Sequence, residues 1–456
     1  MAVSTRTRGR GRDQGLHEEI VESEDAIAEA AVVPSEGLAK GEIAEFRARL
    51  MEWYRVHARK LPWRGVADPY KTWVSEIMLQ QTRVAAVIEH YLHFLERFPA
   101  LVALALAPEE EVLAAWSGLG YYRRARMLHK AAQFITGERG GVFPSTAVEL
   151  RTLPGIGEYT SAAIASIAFG ESVAAVDGNV ERVLLRLTGR PEQATAAGRA
   201  FVRMVAGQLV PGRTMGTVER QAGATTKGAA AKGGNGARHG RTVAVNAAGD
   251  HNQAMMELGA TICLPRAPLC LECPVYALCR TRGEHETAPR AKLRSREVAY
   301  LLSLRKRGVV TQVLLAKRPA DASLMPGMYE LPPLPLDAAD DAMTEREPVL
   351  RVRHAITNTS YYVRIYSPLG PGDKVLRRAV PIAKTDLHWV KTSALAAIPL
   401  TGLAKKVLQR LDVMAVRPLR RADFEVEAQA VESARAAKGR AASMPVIDHD
   451  EDHDSF

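Results

Sequence analysis

A mainly α-helical body followed by a smaller α+β domain is the architecture this sequence predicts. Three observations predict it. From about Glu42 to Met204 apolar residues recur at helical spacing, beginning with Phe46, Leu50, Trp53 and Val56, and only short Pro- and Gly-containing turns interrupt them. The same texture resumes at HNQAMMELGATIC, directly ahead of a cysteine-rich loop. Beyond about residue 297, runs such as VAYLLSLRKRGVVTQVLLAKR and SYYVRIYSPL are rich in β-branched and aromatic residues with turn residues between them. They read as strands, and TGLAKKVLQRLD at about 401–412 adds a helix.

The 456 residues therefore divide into a helical domain at 41–280 and a second domain at 297–412, joined by a polar linker at 281–296. Residues 1–40 and 413–456 carry few large apolar side chains and are expected to be disordered. Residues 212–248 are Gly- and Ala-rich and read as a flexible insertion on a surface loop. Sixty-one basic against 51 acidic residues give a net charge of +10, a modest pointer to a polyanionic partner. No uncharged run of eighteen apolar residues occurs, and no apolar segment follows the basic start. The expectation is a soluble, intracellular, cytoplasmic protein that neither spans a membrane nor is secreted.

All four cysteines, Cys263, Cys270, Cys273 and Cys279, lie in one seventeen-residue stretch with the spacing C-x6-C-x2-C-x5-C. Four thiolates from one short loop can hold a Cys-ligated metal centre. A structural zinc ion usually takes two short C-x2–4-C knuckles, and only Cys270 and Cys273 form one. The uneven spacing suits a larger body, a 4Fe–4S cluster, better. Two disulfides are the remaining alternative, in a chain with no sign of secretion.

Three further motifs point to chemistry. Leu153-Pro154-Gly155-Ile156-Gly157 stands between two helical segments. Its glycines permit a tight turn with outward N–H groups, and the next helix offers its positive end, an arrangement suited to a phosphate or to plain punctuation. Asp177 in Val-Asp-Gly-Asn sits where an N-cap belongs, a role worth about 1 kcal/mol that explains it adequately. A cap held by backbone N–H groups and a helix dipole also stays ionised and could stabilise a developing carbocation. Glu76 falls at the margin of the Trp73/Val74/Ile77/Met78 stripe, beside Gln80. It is an ordinary surface residue by default, but half-burial would let it hold a proton at neutral pH. A protonated acid facing an ionised carboxylate is the pair that breaks glycosidic bonds.

These motifs, with LPWR at Leu61–Arg64, DPYKTWVSEIMLQQTRV at Asp68–Val84, GLGYYRRARMLHKAA at Gly118–Ala132 and AVDGNVERVL at Ala175–Leu184, resemble the helix-hairpin-helix DNA glycosylases with an iron–sulfur cluster. Within that superfamily the chain is most similar to the A/G-specific adenine DNA glycosylases, strongly over about 41–280 and weakly over 297–412. The resemblance implies a helix-hairpin-helix fold, one 4Fe–4S cluster on the four cysteines, and duplex DNA carrying adenine opposite 8-oxoguanine or guanine as partner, bound by a monomer. It implies that Glu76 protonates the departing adenine, that Asp177 stabilises or attacks the sugar, and that Asn179 supports Asp177. The adenosine would be flipped out of the duplex. Leu79, Gln80 and Gln81 would fill the vacated space, Tyr121 would act as an aromatic wedge, and Arg64, Gly155 and Gly157 would lie on DNA. Arg123, Arg124 and Arg126 read equally as phosphate contacts or solvated arginines.

Tyr159 occupies the position where the endonuclease III-like relatives carry a Schiff-base lysine, so strand cleavage is not expected. The second domain resembles the Nudix-like domain that recognises 8-oxoguanine. Its hydrolase signature R-E-x-x-E-E is missing, since neither Arg296-Glu297 nor Arg346-Glu347 continues into it. The loop expected at the lesion reads Ile356-Thr357-Asn358 where relatives commonly carry Phe-Ser-His, leaving Thr357 and Asn358 as polar contacts. A bifunctional glycosylase for oxidised pyrimidines and a non-catalytic lesion-binding module are the two alternatives. Tyr159 argues against the first, and the presence of both Glu76 and Asp177 argues against the second.

Overall fold

A computed structural model describes residues 37–190, 195–212, 246–285, 293–334, 347–356, 358–368 and 386–415. The expectations for the N-terminal segment before residue 37, for the insertion at 213–245, for Thr357 and for the tail after residue 415 lie outside the described residues.

Eleven helices make up the described part of the first domain: α1 (Lys40–His57), α2 (Pro69–Leu79), α3 (Val84–Arg97), α4 (Leu101–Leu106), α5 (Glu109–Ala115), α6 (Arg123–Glu138), α7 (Ala147–Leu150), α8 (Glu158–Phe169), α9 (Gly178–Thr188), α10 (Ala196–Leu209) and α11 (Ala247–Thr261). Their ends follow from local chemistry. Asp68 caps α2 by accepting from the N–H groups of Tyr70 and Lys71, with Pro69 at the first helical position. Gly170 and Gly189 close α8 and α9 in the left-handed conformation, which glycine adopts without steric penalty.

The helices gather around two cores. Trp73, Phe94, Leu104, Trp116, Leu128 and Ile135 form one, mainly from α2 to α6. Phe46, Leu50, Leu184, Phe201 and Leu258 form the other, from α1 and α9 to α11. The chain thus leaves the second core after α1 and returns to it at α9. Helices α2 and α8 pack together, and α8 and α9 each pack on α11, so the two cores meet along those four helices. Among the described residues no helix is long and apolar enough to cross a membrane.

The second domain is α+β. One sheet has the order β5-β1-β7-β6, built from β1 (Arg294–Leu301), β5 (Pro333–Leu334), β6 (Leu350–Ile356) and β7 (Thr359–Tyr366). The other joins β2 (Leu304–Arg307), β3 (Val310–Lys317) and β4 (Tyr329–Glu330), with β8 (Asp386–Lys391) also on β3. Helix α12 (Gly402–Arg410) completes a core with Leu315, Val363, Ile365, Val407 and Leu408.

Two boundaries differ from the sequence reading. Strand β1 starts at Arg294, inside the stretch read as linker, because it pairs in parallel with β7 from Arg294 against Thr359 onward. Its first four residues are exposed, so no hydrophobic pattern announced it. Helix α11 starts at Ala247, inside the stretch read as insertion. Asn246 caps it while donating to the carbonyls of Ser166 and Ile167, both at 2.8 Å, which also satisfies the end of α8.

The two domains touch directly. Met328 of the second domain is buried in the first helical core. Arg126 donates to the carbonyl of Pro326 at 2.6 Å, and Lys317 meets Glu110 at 2.7 Å.

Candidate active site

A cavity of about 750 Å³ opens where the two helical cores meet, lined by α2, α8, α9, α11 and the Arg59–Arg64 loop. Glu76 and Asp177 both line it, with Tyr159 and Asn179. Glu76 is far more enclosed than its place on the helical wheel suggested, at 5% exposure. Packing of α8 against α2 covers it, an effect that one helix's periodicity cannot show. The Tyr159 hydroxyl donates to Glu76 Oε2 at 2.5 Å. Burial drives the Glu76 carboxyl up to about 7, Asp177 adds to the rise, and Tyr159 and Arg64 oppose it. Burial also raises the Tyr159 phenol well above its ordinary range, so it stays a donor.

Asp177 is the N-cap of α9, as its position suggested. Its Oδ1 accepts from the N–H groups of Asn179 at 2.9 Å and Val180 at 2.8 Å, and its Oδ2 from Asn179 Nδ2 at 2.8 Å. Asn179 is fixed in turn, because Arg182 donates to its Oδ1 at 2.8 Å and to the carbonyls of Gly259 and Cys263, each at 2.8 Å. Gly259 lets α11 come this close: a Cβ there would stand 2.6 Å from Asn179 Cβ and 2.9 Å from its carbonyl oxygen.

Arg64 was expected on DNA. It donates to Glu257 Oε2 at 2.6 Å and to the Arg59 carbonyl at 2.9 Å, and Arg59 grips the same Glu257 through both carboxylate oxygens at 2.7 Å. Burial pushes Glu257 up, but hydrogen bonds and charge from Arg59 and Arg64 outweigh it and hold the carboxyl at about 2. All three line the cavity, a buried ion network beside the carboxylate pair. Glu257, Arg59 and Arg182 escaped the sequence reading. The signal for Glu257 was an acid on the apolar face of α11; Arg59 and Arg182 had none short of the tertiary fold.

The remaining expected residues are distributed around the mouth. Leu79, Gln80, Gln81, Gly155 and Gly157 line the cavity. Gln80 donates to Thr160 Oγ1 at 3.2 Å, and Gln81 is exposed with a positive φ of 55°. Gly155 has φ +75°, and a Cβ there would meet Met127 Cβ at 2.4 Å, so the turn requires glycine. Tyr121 is 46% exposed with φ 47°, and it is not among the lining residues. Asn358 is exposed at the β6–β7 turn, also apart from the lining, where its carbonyl accepts from Arg294 N–H at 2.9 Å. Arg124, read as a phosphate contact or a solvated arginine, is half-buried among backbone carbonyls.

The four cysteines are free thiols, all half-buried. Burial first, then the neighbouring cysteines, raises Cys270, and Cys273 is pushed up to about 12. Among the described residues no three His, Cys, Asp or Glu side chains are grouped as around a single metal ion. Helix α9 links this loop to the site. Arg186, one turn after Arg182, lies 3.5 Å from Cys263 Sγ and donates to the carbonyls of Leu264 at 2.6 Å and Pro265 at 2.9 Å. The N–H of Arg282 reaches Cys279 Sγ at 3.4 Å.

Residues 74–202, which carry Glu76, the glycine turn and Asp177, match the model of the HhH-GPD superfamily of base excision DNA repair proteins. Human adenine DNA glycosylase is 42% identical over 256 residues, 54% of this chain and 41% of that protein. The adenine DNA glycosylase of Mycolicibacterium smegmatis is 39% identical over 236 residues, 51% of this chain and 68% of that protein. A solved thermostable thymine-DNA glycosylase aligns with 53% of this chain and 97% of its own at 26% identity and a TM-score of 0.43. The chain spans about half the length of the mammalian relatives, 41% of the human protein and 45% of the mouse protein. With 39% identity to a relative matched over 68% of its own length, the chain belongs to the adenine DNA glycosylase family.

Proposed function

We propose that this protein is a monofunctional DNA glycosylase that hydrolyses the N-glycosidic bond of adenine opposite 8-oxoguanine or guanine in duplex DNA. One observation carries the reading: a buried carboxyl that titrates at about 7 and a carboxylate accepting three hydrogen bonds line the same cavity. Glu76 delivers its proton to a ring nitrogen of the flipped adenine as the bond to C1′ breaks and its electron pair leaves with the base. Asp177 stabilises the cationic sugar. Water then adds to C1′ and its proton returns to Glu76. Tyr159 has no amine for a Schiff base, which leaves an abasic site in an intact strand.

Cys263, Cys270, Cys273 and Cys279 would hold a 4Fe–4S cluster, and the fit rests on four half-buried thiols free of disulfides, with the Arg186 guanidinium beside Cys263 and the Arg282 N–H beside Cys279. When bound, the cluster supplies a covalent brace for the loop behind α9. In the second domain, Thr357 and Asn358 are the proposed contacts to the base opposite the adenine.

The test is a single-turnover assay on a duplex with adenine opposite 8-oxoguanine, with and without alkali, for wild type and Glu76→Gln. Alkali-dependent scission at the adenine, lost in the variant, supports the proposal. Scission without alkali moves the protein to the bifunctional class, and binding without base release leaves a recognition module.

A further inference from the structure

Gln81 and Tyr121, the two exposed residues expected to enter the duplex, both have a positive φ. For side chains other than glycine that conformation is strained and persists only where surrounding structure imposes it. Arg124 holds the backbone beside both. Its Nη1 donates to the carbonyls of Ile77 at 2.8 Å, Met78 at 3.2 Å and Gln80, the last residues of α2 and its C-cap. Its Nη2 reaches Thr82 Oγ1 at 3.2 Å and the carbonyls of Leu119 and Gly120 at 3.3 and 3.4 Å. The guanidinium also lies over the rings of Trp116 and Tyr121. One cation therefore caps the helix that carries Glu76, where positive charge suits the helix dipole, and pins the loop that carries Tyr121.

The other end of that loop is held by the second domain. Ser117 Oγ and Tyr122 Oη both donate to the carbonyl of Leu400, at 3.1 and 3.0 Å. Lys405 Nζ donates back to the Ser117 carbonyl at 2.6 Å. His90 Nε2 shares that carbonyl at 3.3 Å. Between them Gly118 has φ +115°, and a Cβ there would meet His90 Nε2 at 3.0 Å and Lys405 Nζ at 3.1 Å. Lys405 lies on α12, whose next residue, Lys406, donates to the Arg353 carbonyl of β6 at 3.0 Å. A Cβ at Gly402, the start of the same helix, would stand 3.8 Å from the His354 ring of β6. Helix α12 is thus wedged between β6, the strand ahead of Asn358, and the backbone leading to Tyr121.

We propose that Lys405 and Arg124 are positioning residues through which the second domain, seated on the base opposite the adenine, sets the placement of Tyr121, Gln81 and the Glu76 helix. The inference rests on the glycosylase reading above. Contiguity alone does not show coupling, so the test measures coupling.

Single-turnover adenine release is compared for full-length wild type, Lys405→Met, Lys405→Arg, Arg124→Lys and the double variant Lys405→Met/Arg124→Lys, on duplexes with adenine opposite 8-oxoguanine and opposite guanine. Lys405→Met is expected to lower the 8-oxoguanine rate about tenfold and leave the guanine rate within about twofold, collapsing the preference. Affinity for the 8-oxoguanine duplex should stay within about threefold, and Lys405→Arg, which keeps a donor, should retain the preference. Arg124→Lys, which keeps charge but loses the fork, should lower both rates, the 8-oxoguanine rate more, so that the preference collapses, and adding Lys405→Met should change the ratio no further. A Lys405→Met variant that keeps the preference, or that slows both duplexes equally, overturns the inference, as do effects that multiply independently in the double variant. A wild type active on both duplexes without preference overturns it while leaving the glycosylase reading intact; a wild type that releases no adenine overturns both.

Discussion

Replacing Tyr159 with phenylalanine removes one hydroxyl from the cavity and should move the pH dependence of catalysis upward. The hydroxyl donates to Glu76 Oε2 at 2.5 Å and so favours the carboxylate, against the burial that drives the group up to about 7. A hydrogen bond to a charged group contributes about 1.5–3 kcal/mol, and one pKa unit is about 1.36 kcal/mol, so its loss should raise the Glu76 inflection by about one to two units. Glu76 acts protonated in this mechanism. The wild-type single-turnover rate should therefore fall as pH rises through about 7, whereas the variant should reach half its plateau only at about pH 8–9. The assay is adenine release from pH 5.5 to 9, each profile normalised to its own acidic plateau, so that a change in maximal rate does not mimic a shift. An inflection that stays in place or moves down would refute the assignment of Glu76 as the titrating acid.

Three more outcomes follow from the structure. Gly155→Ala should lower stability by about 1–3 kcal/mol in thermal melts, because its Cβ would sit 2.4 Å from Met127 Cβ at φ +75°, while Gly157→Ala, facing open space, should melt like wild type. Glu257→Gln leaves the Arg59 and Arg64 guanidiniums without their anion and should cost about 3 kcal/mol in denaturant titrations. Because Glu257 is held at about 2 in the folded protein, below its ordinary 4.5, the stabilisation it lends is present above pH 4.5 and lost as pH falls towards 2. The variant's deficit should shrink over that window. Cys273→Ala should abolish visible iron–sulfur absorption and bound iron; a colourless wild type carrying zinc would refute the cluster assignment.

The sequence alone determined the local features. Helices with their caps and stops follow from short-range chemistry, so Asp177 at the head of α9 and the glycine turn at 153–157 were both legible. The C-x6-C-x2-C-x5-C spacing singled out the metal-binding candidate, and the motif set pointed to the family before any coordinates. Tertiary structure alone decided what those residues experience. Glu76 looked marginal on its own helix, and only the packing of α8 across α2 buries it and brings Tyr159 to its carboxyl. Arg64, expected on DNA, and Arg124, read as a phosphate contact or a solvated arginine, have protein partners that no local pattern announced: Glu257 for one and the carbonyl end of α2 for the other. Strand β1 begins in a stretch with no apolar pattern because β7 supplies its hydrogen bonds. Periodicity and propensity report a residue's neighbours along the chain, whereas burial, ion pairing and pKa depend on groups tens to hundreds of residues away, which only folding brings within hydrogen-bonding reach.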